Sequence, residues 1–121
     1  MPPEDWRTAR EYCRKFDSEL VKIESKDENQ FIKTEYFRTG DRYWIGLSDL
    51  NNDGKWKWTD GTGLTGYKNW GSGQPKNSNG QQCITIQKVN HDGWYDGEWN
   101  DYFCWGKFGY ICEKMEVVLA A

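Results

Sequence analysis

Asp49, Asn51, Asp53, Gly54 and Asp60 stand at positions 1, 3, 5, 6 and 12 of a loop pattern in which alternating side chains aim oxygens at one calcium ion. The pattern departs at its last place, Asp instead of a bidentate Glu, and Lys57 fills the ninth. A hairpin turn accounts for the same residues, since Asn52-Asp53-Gly54 suits one. Both readings, a turn and a weak calcium site on that turn, stay open. Gly61-Thr62-Gly63-Leu64-Thr65-Gly66 has the glycine spacing of a dinucleotide-binding turn. That chemistry needs a helix next, to seat the pyrophosphate, and Tyr67-Lys68-Asn69-Trp70-Gly71 does not predict one. Lys55-Trp56-Lys57-Trp58 interleaves cations and aromatic rings as a nucleic-acid face does, but a two-sided strand with tryptophans in and lysines out gives the same alternation. His91 is the single histidine, no Gly-x-Ser-x-Gly occurs, and no motif pairs the carboxylates. The sequence predicts a protein that is not an enzyme.

The elements that must position these residues read as helices first and strands after. Glu4 and Asp5 open a helical pattern with Trp6, Ala9, Cys13 and Phe16 at steps of three and four, and Leu20-Val21-Lys22-Ile23 follows as a short strand. Ser25 and Glu28 form a capping pair ahead of Phe31, Ile32 and Tyr36, with Gly40 closing a second helix. Strands are predicted at Tyr43–Leu47, Lys55–Thr59, Cys83–Gln87 and Tyr110–Glu113, with another within Trp94–Asp101. This order implies an α+β fold with an antiparallel sheet. From Asp60 to Gln82 run 23 residues rich in Gly, Asn and Ser without periodicity. So long a run inside a compact domain marks a functional loop, and Trp70 and Pro75 predict that it is ordered.

The 121 residues suit a single domain, 1–121. Leu, Ile, Val and Phe number only 20, but 8 Trp and 7 Tyr make up the missing apolar area, at about 150–250 Å² for each buried ring. A net charge of −3 with no basic block argues against nucleic acid as a partner, and Val117–Ala121, the longest apolar run, is too short to span a membrane. No secretory segment precedes Pro2 and Pro3, which predicts that any targeting signal has been removed. Cys13, Cys83, Cys104 and Cys112 lack zinc-ligand spacing, so two disulfides and an oxidising, extracellular compartment are expected. Three pairings are open. A nested one would close loops of about 100 and about 22 residues, worth roughly 4.7 and 3 kcal/mol on the chain-entropy model.

Trp44-Ile45-Gly46-Leu47, Trp56 and Trp58, Asn69-Trp70, Gln74-Pro75, Cys83, Trp99-Asn100-Asp101, Cys104 and Tyr110-Ile111-Cys112-Glu113 together resemble the C-type lectin domain, over about Trp6 to Lys114. The resemblance implies a C-type lectin-like fold: two helices flanking twisted antiparallel sheets, the nested pairs Cys13–Cys112 and Cys83–Cys104, and a long loop that binds the ligand. Members that bind sugar do so through a loop-held calcium ion, and the matching positions here are Gln74, Lys76, Gln81, Asn100 and Asp101. Gln74 agrees with the galactose-type triplet, and Asn100 and Asp101 are intact. Lys76 replaces an Asn or Asp ligand, while Gln81 and Gln82 stand where acidic residues are usual. An ammonium about 4 Å from a divalent cation is repelled by roughly 8 kcal/mol at an effective dielectric near 20. Weak or absent calcium binding at this principal site is therefore expected, with Lys76 pairing with Asp101 instead. Asp49 and Asp53, with Asn77, resemble the auxiliary calcium site. Trp99 reads as core, and Trp94, Tyr95 and Trp105 as candidates to stack on a sugar. The implied partners are a carbohydrate or glycoprotein, galactose-like at best, or a protein surface bound without calcium. The family's first strand, which pairs with the last, has no counterpart in the five residues before Trp6. The edge near Tyr110–Cys112 is thus expected to be open unless the 115–121 tail or a second chain covers it.

Overall fold

The computed structural model describes residues 2–36, 42–51, 53–71, 73–76, 82–87 and 97–114, without the side chains of residues 35 and 36. Helix α1, Trp6–Lys15, starts at Asp5, whose side chain accepts the Thr8 N–H at 2.9 Å, and ends with Arg14 and Lys15 near its negative pole. Trp6, Ala9 and Cys13 form its buried stripe. Phe16 does not continue that stripe: it is the C-cap, and the departing chain leaves its ring 70% exposed. Helix α2, Lys26–Tyr36, begins where Ser25 Oγ accepts the Glu28 N–H at 3.1 Å, as its capping pair predicts. It buries Asn29 and Ile32, three residues apart, and turns Phe31 outward. Gly40 lies outside the described residues.

Strand β1 is Ser18–Leu20, slightly ahead of its expected position, with Val21 and Ile23 buried after it. It pairs antiparallel with β7, Cys112–Lys114. The larger sheet has the order β3-β2-β4-β5, from Lys57–Trp58, Arg42–Ser48, Cys83–Gln87 and Glu98–Tyr102, all antiparallel. β6, Gly109–Tyr110, lies parallel to β2. The Val21 N–H donates to Ile111 O and the Ile111 N–H to Trp44 O, which joins the two sheets. The edge expected to be open near Tyr110–Cys112 is thus paired along one side, while in the two-stranded sheet the other side of β7 has no strand partner among the described residues. β2 and β1 pair its one side, and Glu4 and Phe108, just ahead of it, exchange two further backbone bonds.

Gly46 is required where β2 passes the end of β1, because a Cβ there would stand 2.7 Å from Leu20 O and 3.0 Å from Val21 O. Two apolar clusters fill the interior. One gathers α1, Trp44 and the disulfide sulfurs; the other gathers Ile45, Leu47, Trp58, Ile84, Ile86 and Trp99 around the sheet. The Trp6 indole N–H bonds Ile45 O at 2.9 Å and spans from one cluster to the other. The disulfides are the nested pairs Cys13–Cys112 and Cys83–Cys104, with Cα separations of 5.5 and 5.2 Å.

Candidate functional site

The long loop is built onto β5 as if it were another strand. The Trp99 N–H donates to Asn69 O at 2.8 Å and the Gly71 N–H to Trp99 O at 3.0 Å, which sets Trp70 beside Trp99. Trp99 is fully buried and is the hub of an aromatic cluster: Trp58, Tyr67 and Trp70 meet it edge to face, with centroids 5.7, 5.7 and 5.9 Å away. Burial raises the Tyr67 phenol above its ordinary pKa. The Trp99 indole N–H donates to Asn29 Oδ1 at 2.8 Å, and the Asn29 and Asn69 amides both donate to Gly97 O. Asn29 and Asn69 are thus positioning residues; Asn69 belongs to the Asn69-Trp70 element of the resemblance, whereas Asn29 is not singled out by sequence. The available signal was an amide on the buried stripe of α2, three residues before Ile32.

Next along β5, Asn100 and Asp101 are both nearly enclosed, at 3% and 4% exposure. The Asp101 N–H donates to Gln74 Oε1 at 3.1 Å, which brings the Gln74-Pro75 element, joined by a cis peptide bond, onto the strand. Asn100 Oδ1 is buried and has no hydrogen-bond partner among the described residues. The structure therefore brings Gln74, Asn100 and Asp101 together. Gln81 and Asn77 lie outside the described residues, as do His91, Trp94 and Tyr95.

Residues 3–114 match the family described as "Lectin C-type domain". Over 112 residues, 90% of this chain and 69% of the relative, the sequence is 40% identical to perlucin of Haliotis laevigata. It is also 40% identical to human asialoglycoprotein receptor 2 over 118 residues, 90% of this chain but only 34% of that receptor. The chain belongs to the C-type lectin domain family. Among solved structures, the carbohydrate-recognition domain of the mouse scavenger receptor C-type lectin superposes with a TM-score of 0.82 at 35% identity, covering 98% of this chain and 87% of that one. A calcium-independent type II antifreeze protein superposes with a TM-score of 0.78 at 27% identity, covering 92% of this chain and 78% of that one.

Within this C-type lectin domain, Lys76 does not pair with Asp101. It is exposed and takes part in no ion pair among the described residues. Its ammonium stays hydrated because reaching the buried Asp101 would require desolvating it. Asp49 is 1% exposed, and its carboxylate accepts the Asp53 and Gly54 N–H groups at 3.1 and 3.0 Å. Asp53 accepts the Lys55 N–H at 2.9 Å; that bond holds its carboxyl below the usual range, helped by the charges of Lys55 and Lys57. Gly54, at φ 77°, makes the turn. The two carboxylates thus hold a turn together, and the described residues contain no group of three or more acidic, Cys or His side chains placed to hold a metal ion.

The glycine run after Asp60 is also a turn. Trp58 and Gly61–Thr62 exchange backbone bonds, and no helix follows. Trp105 is 71% exposed and stacks on Phe103 with ring centroids 5.1 Å apart, while Trp99 is core. No helix among the described residues is long and apolar enough to cross a membrane.

Proposed function

We propose that this chain is an extracellular carbohydrate-recognition domain that takes sugar hydroxyls at Gln74, Asn100 and Asp101, on the loop side of β5. Asn100 carries the reading. Its buried Oδ1, without a partner among the described residues, lies beside the one strand position that Gln74 ties to the loop. A buried acceptor left without a donor costs about 1–3 kcal/mol, which a ligand hydroxyl would recover. The relatives support the same class, being named for a glycoprotein and for carbohydrate recognition. Gln74-Pro75 favours a galactose-like sugar on the family pattern.

As a calcium site the set fits poorly. A hard cation takes six to eight oxygens, several of them charged. Here Gln74 Oε1 already accepts a backbone N–H, Lys76 brings a positive charge, and Gln81 offers an amide where the family has a carboxylate. The site is read as a degraded one, with calcium weak or absent. The same departures favour a second reading, recognition of a protein surface by this loop without calcium, and a calcium-independent protein shares the fold.

A glycan array with and without calcium, repeated with Asn100→Ala, tests the first reading. Galactose-type binding that Asn100→Ala abolishes, with the melting point kept within a few degrees, is the expected result. Calcium should shift the melting point by much less than the several degrees that a ligand at about 100 times its Kd produces. Lys76→Asp should increase calcium affinity. A silent array in both conditions would transfer the assignment to the protein-surface reading.

A further inference from the structure

Beside the loop lies a groove that the sugar site does not use. It has a volume of about 450 Å³ and lies between the β3 hairpin and the long loop. Its apolar walls are Trp56 and Trp70, with centroids 5.7 Å apart, together with Pro75. Lys55, Lys57 and Lys68 also line it, and no carboxylate among the described residues does. Trp58 goes into the core, while Trp56, just before β3, stays half-buried against Trp70, and Lys57 is exposed and held by its backbone bridge to Gly63. Asp53, next to the lining residue Gly54, brings one negative charge against three positive ones, and its carboxylate is already engaged by the Lys55 N–H. None of the three lysines takes part in an ion pair among the described residues. In a chain of net charge −3, this is a local concentration of the opposite sign.

We infer that this groove binds an anionic saccharide, one carrying sulfate or carboxylate groups, without a metal ion. The apolar faces of the sugar rings lie on Trp56, Trp70 and Pro75, and the anionic groups meet the lysine ammoniums. The volume falls in the range of about 300–1,000 Å³ typical of small-ligand sites. A long polyanion such as nucleic acid is disfavoured, because beyond these lysines it would meet the net negative charge of the chain. The ammoniums supply the positive charge that a cation otherwise would, so a chelator leaves the site intact. The site involves none of Gln74, Asn100 or Asp101, and its test is independent of the glycan result for Asn100→Ala.

The probe is a heparin-derived hexasaccharide, compared with its desulfated form by calorimetry on the whole chain in the presence of chelator. The sulfated probe should bind and the desulfated one should not, and affinity should fall as added salt shortens the screening length from about 10 Å at 0.1 M. An exposed charge pair is worth at most about fivefold. Together, Lys55→Gln, Lys57→Gln and Lys68→Gln should therefore weaken binding by about tenfold or more. The same charge change at the exposed Lys26, Lys107 and Lys114 should leave binding unaltered. Melting curves on both triple variants confirm that each is folded. No binding, equal binding of the desulfated probe, or equal losses from the two triple variants would overturn the inference. So would a single-stranded oligothymidylate of the same charge that binds as tightly and depends on the same lysines.

Discussion

The region around α1, β1 and β7 and the loop from Asp60 to Lys76 pack against the same central strands but are held there by different means. The first is clamped through Cys13–Cys112, fills its interior with Trp6, Ala9, Leu20 and Trp44, and satisfies its backbone in strand ladders. The loop has almost no regular structure. It is fastened by one aromatic hub, Trp99, by the Asn69 amide, which donates to Gly97 O, by Gln74 Oε1, which accepts the Asp101 N–H, and by two backbone bonds to β5. Shape in the first region comes from covalent and apolar terms spread over many residues. In the loop a few polar contacts decide it, and so a binding surface can vary there while the scaffold is kept.

The harshest way to break this contrast is to cut the clamp. Cys13→Ser with Cys112→Ser opens a loop with a sequence separation of 99, and the chain-entropy model gives about 4.7 kcal/mol of lost stability. Removing Cys83–Cys104, with a separation of 21, should cost about 3 kcal/mol. Chemical denaturation of the two double variants measures both. The contrast holds if loss of the first pair lowers stability more and loss of the second disturbs loop and glycan binding more, because Cys83 opens the strand that pairs with Asn100 and Asp101.

A milder change acts on the hub. Trp99→Phe removes the N–H that satisfies Asn29 Oδ1 inside the fold, leaving a buried acceptor unpaired at a cost of about 1–3 kcal/mol. The scaffold should remain folded while limited proteolysis near Asn69–Gly71 speeds up. Asn29→Ala combined with Trp99→Phe should be less destabilising than the sum of the single changes, since the unpaired acceptor is then gone.

The same contrast explains what was legible in the sequence. The expected strand Cys83–Gln87 matches β4 end to end, because Ile84 and Ile86 alternate with Thr85 and Gln87 at the period of a strand. The capping residues of α2 and the burial of Trp58 were equally plain, since each follows from a local pattern. Phe16 fits the helical pattern of α1 yet is exposed, because periodicity gives no information on where the chain turns away from the core. The pairing of β1 with β7 is not legible for a similar reason: nothing local marks Ser18–Leu20 as the partner of Cys112–Lys114. In the loop, Gln74, Asn100 and Asp101 could be picked out by family pattern. The roles of Asn29 and Asn69 could not, because they meet Gly97 only through tertiary folding. The proposed pair of Lys76 with Asp101 failed on the same ground, since charge complementarity in sequence says nothing about how deeply each partner is buried.

The smallest expected effect lies where scaffold and loop meet. Lys22, just after β1, donates from Nζ to Asp60 Oδ2 at 2.8 Å and to Thr62 Oγ1 at 2.9 Å, at the root of the loop. The Lys22 ammonium, followed by the Thr62 hydroxyl, draws the Asp60 carboxyl down to about 2 from an ordinary 3.8. A carboxyl depressed in the folded state contributes its stability above the unfolded value and loses it as pH falls through the folded one. The contribution should therefore be complete above about pH 4 and disappear towards pH 2. The Asp60 side chain is 48% exposed, so solvent screening limits the pair to less than about 1 kcal/mol. Asp60→Asn should lower stability by that amount at neutral pH, and its curve should converge with that of the parent chain near pH 2. A carboxyl titration by NMR checks the same value directly: an Asp60 midpoint near 3.8 would mean that the loop root is not tied to the scaffold by charge, leaving the aromatic hub and the backbone bonds of Trp99 as its main fastening.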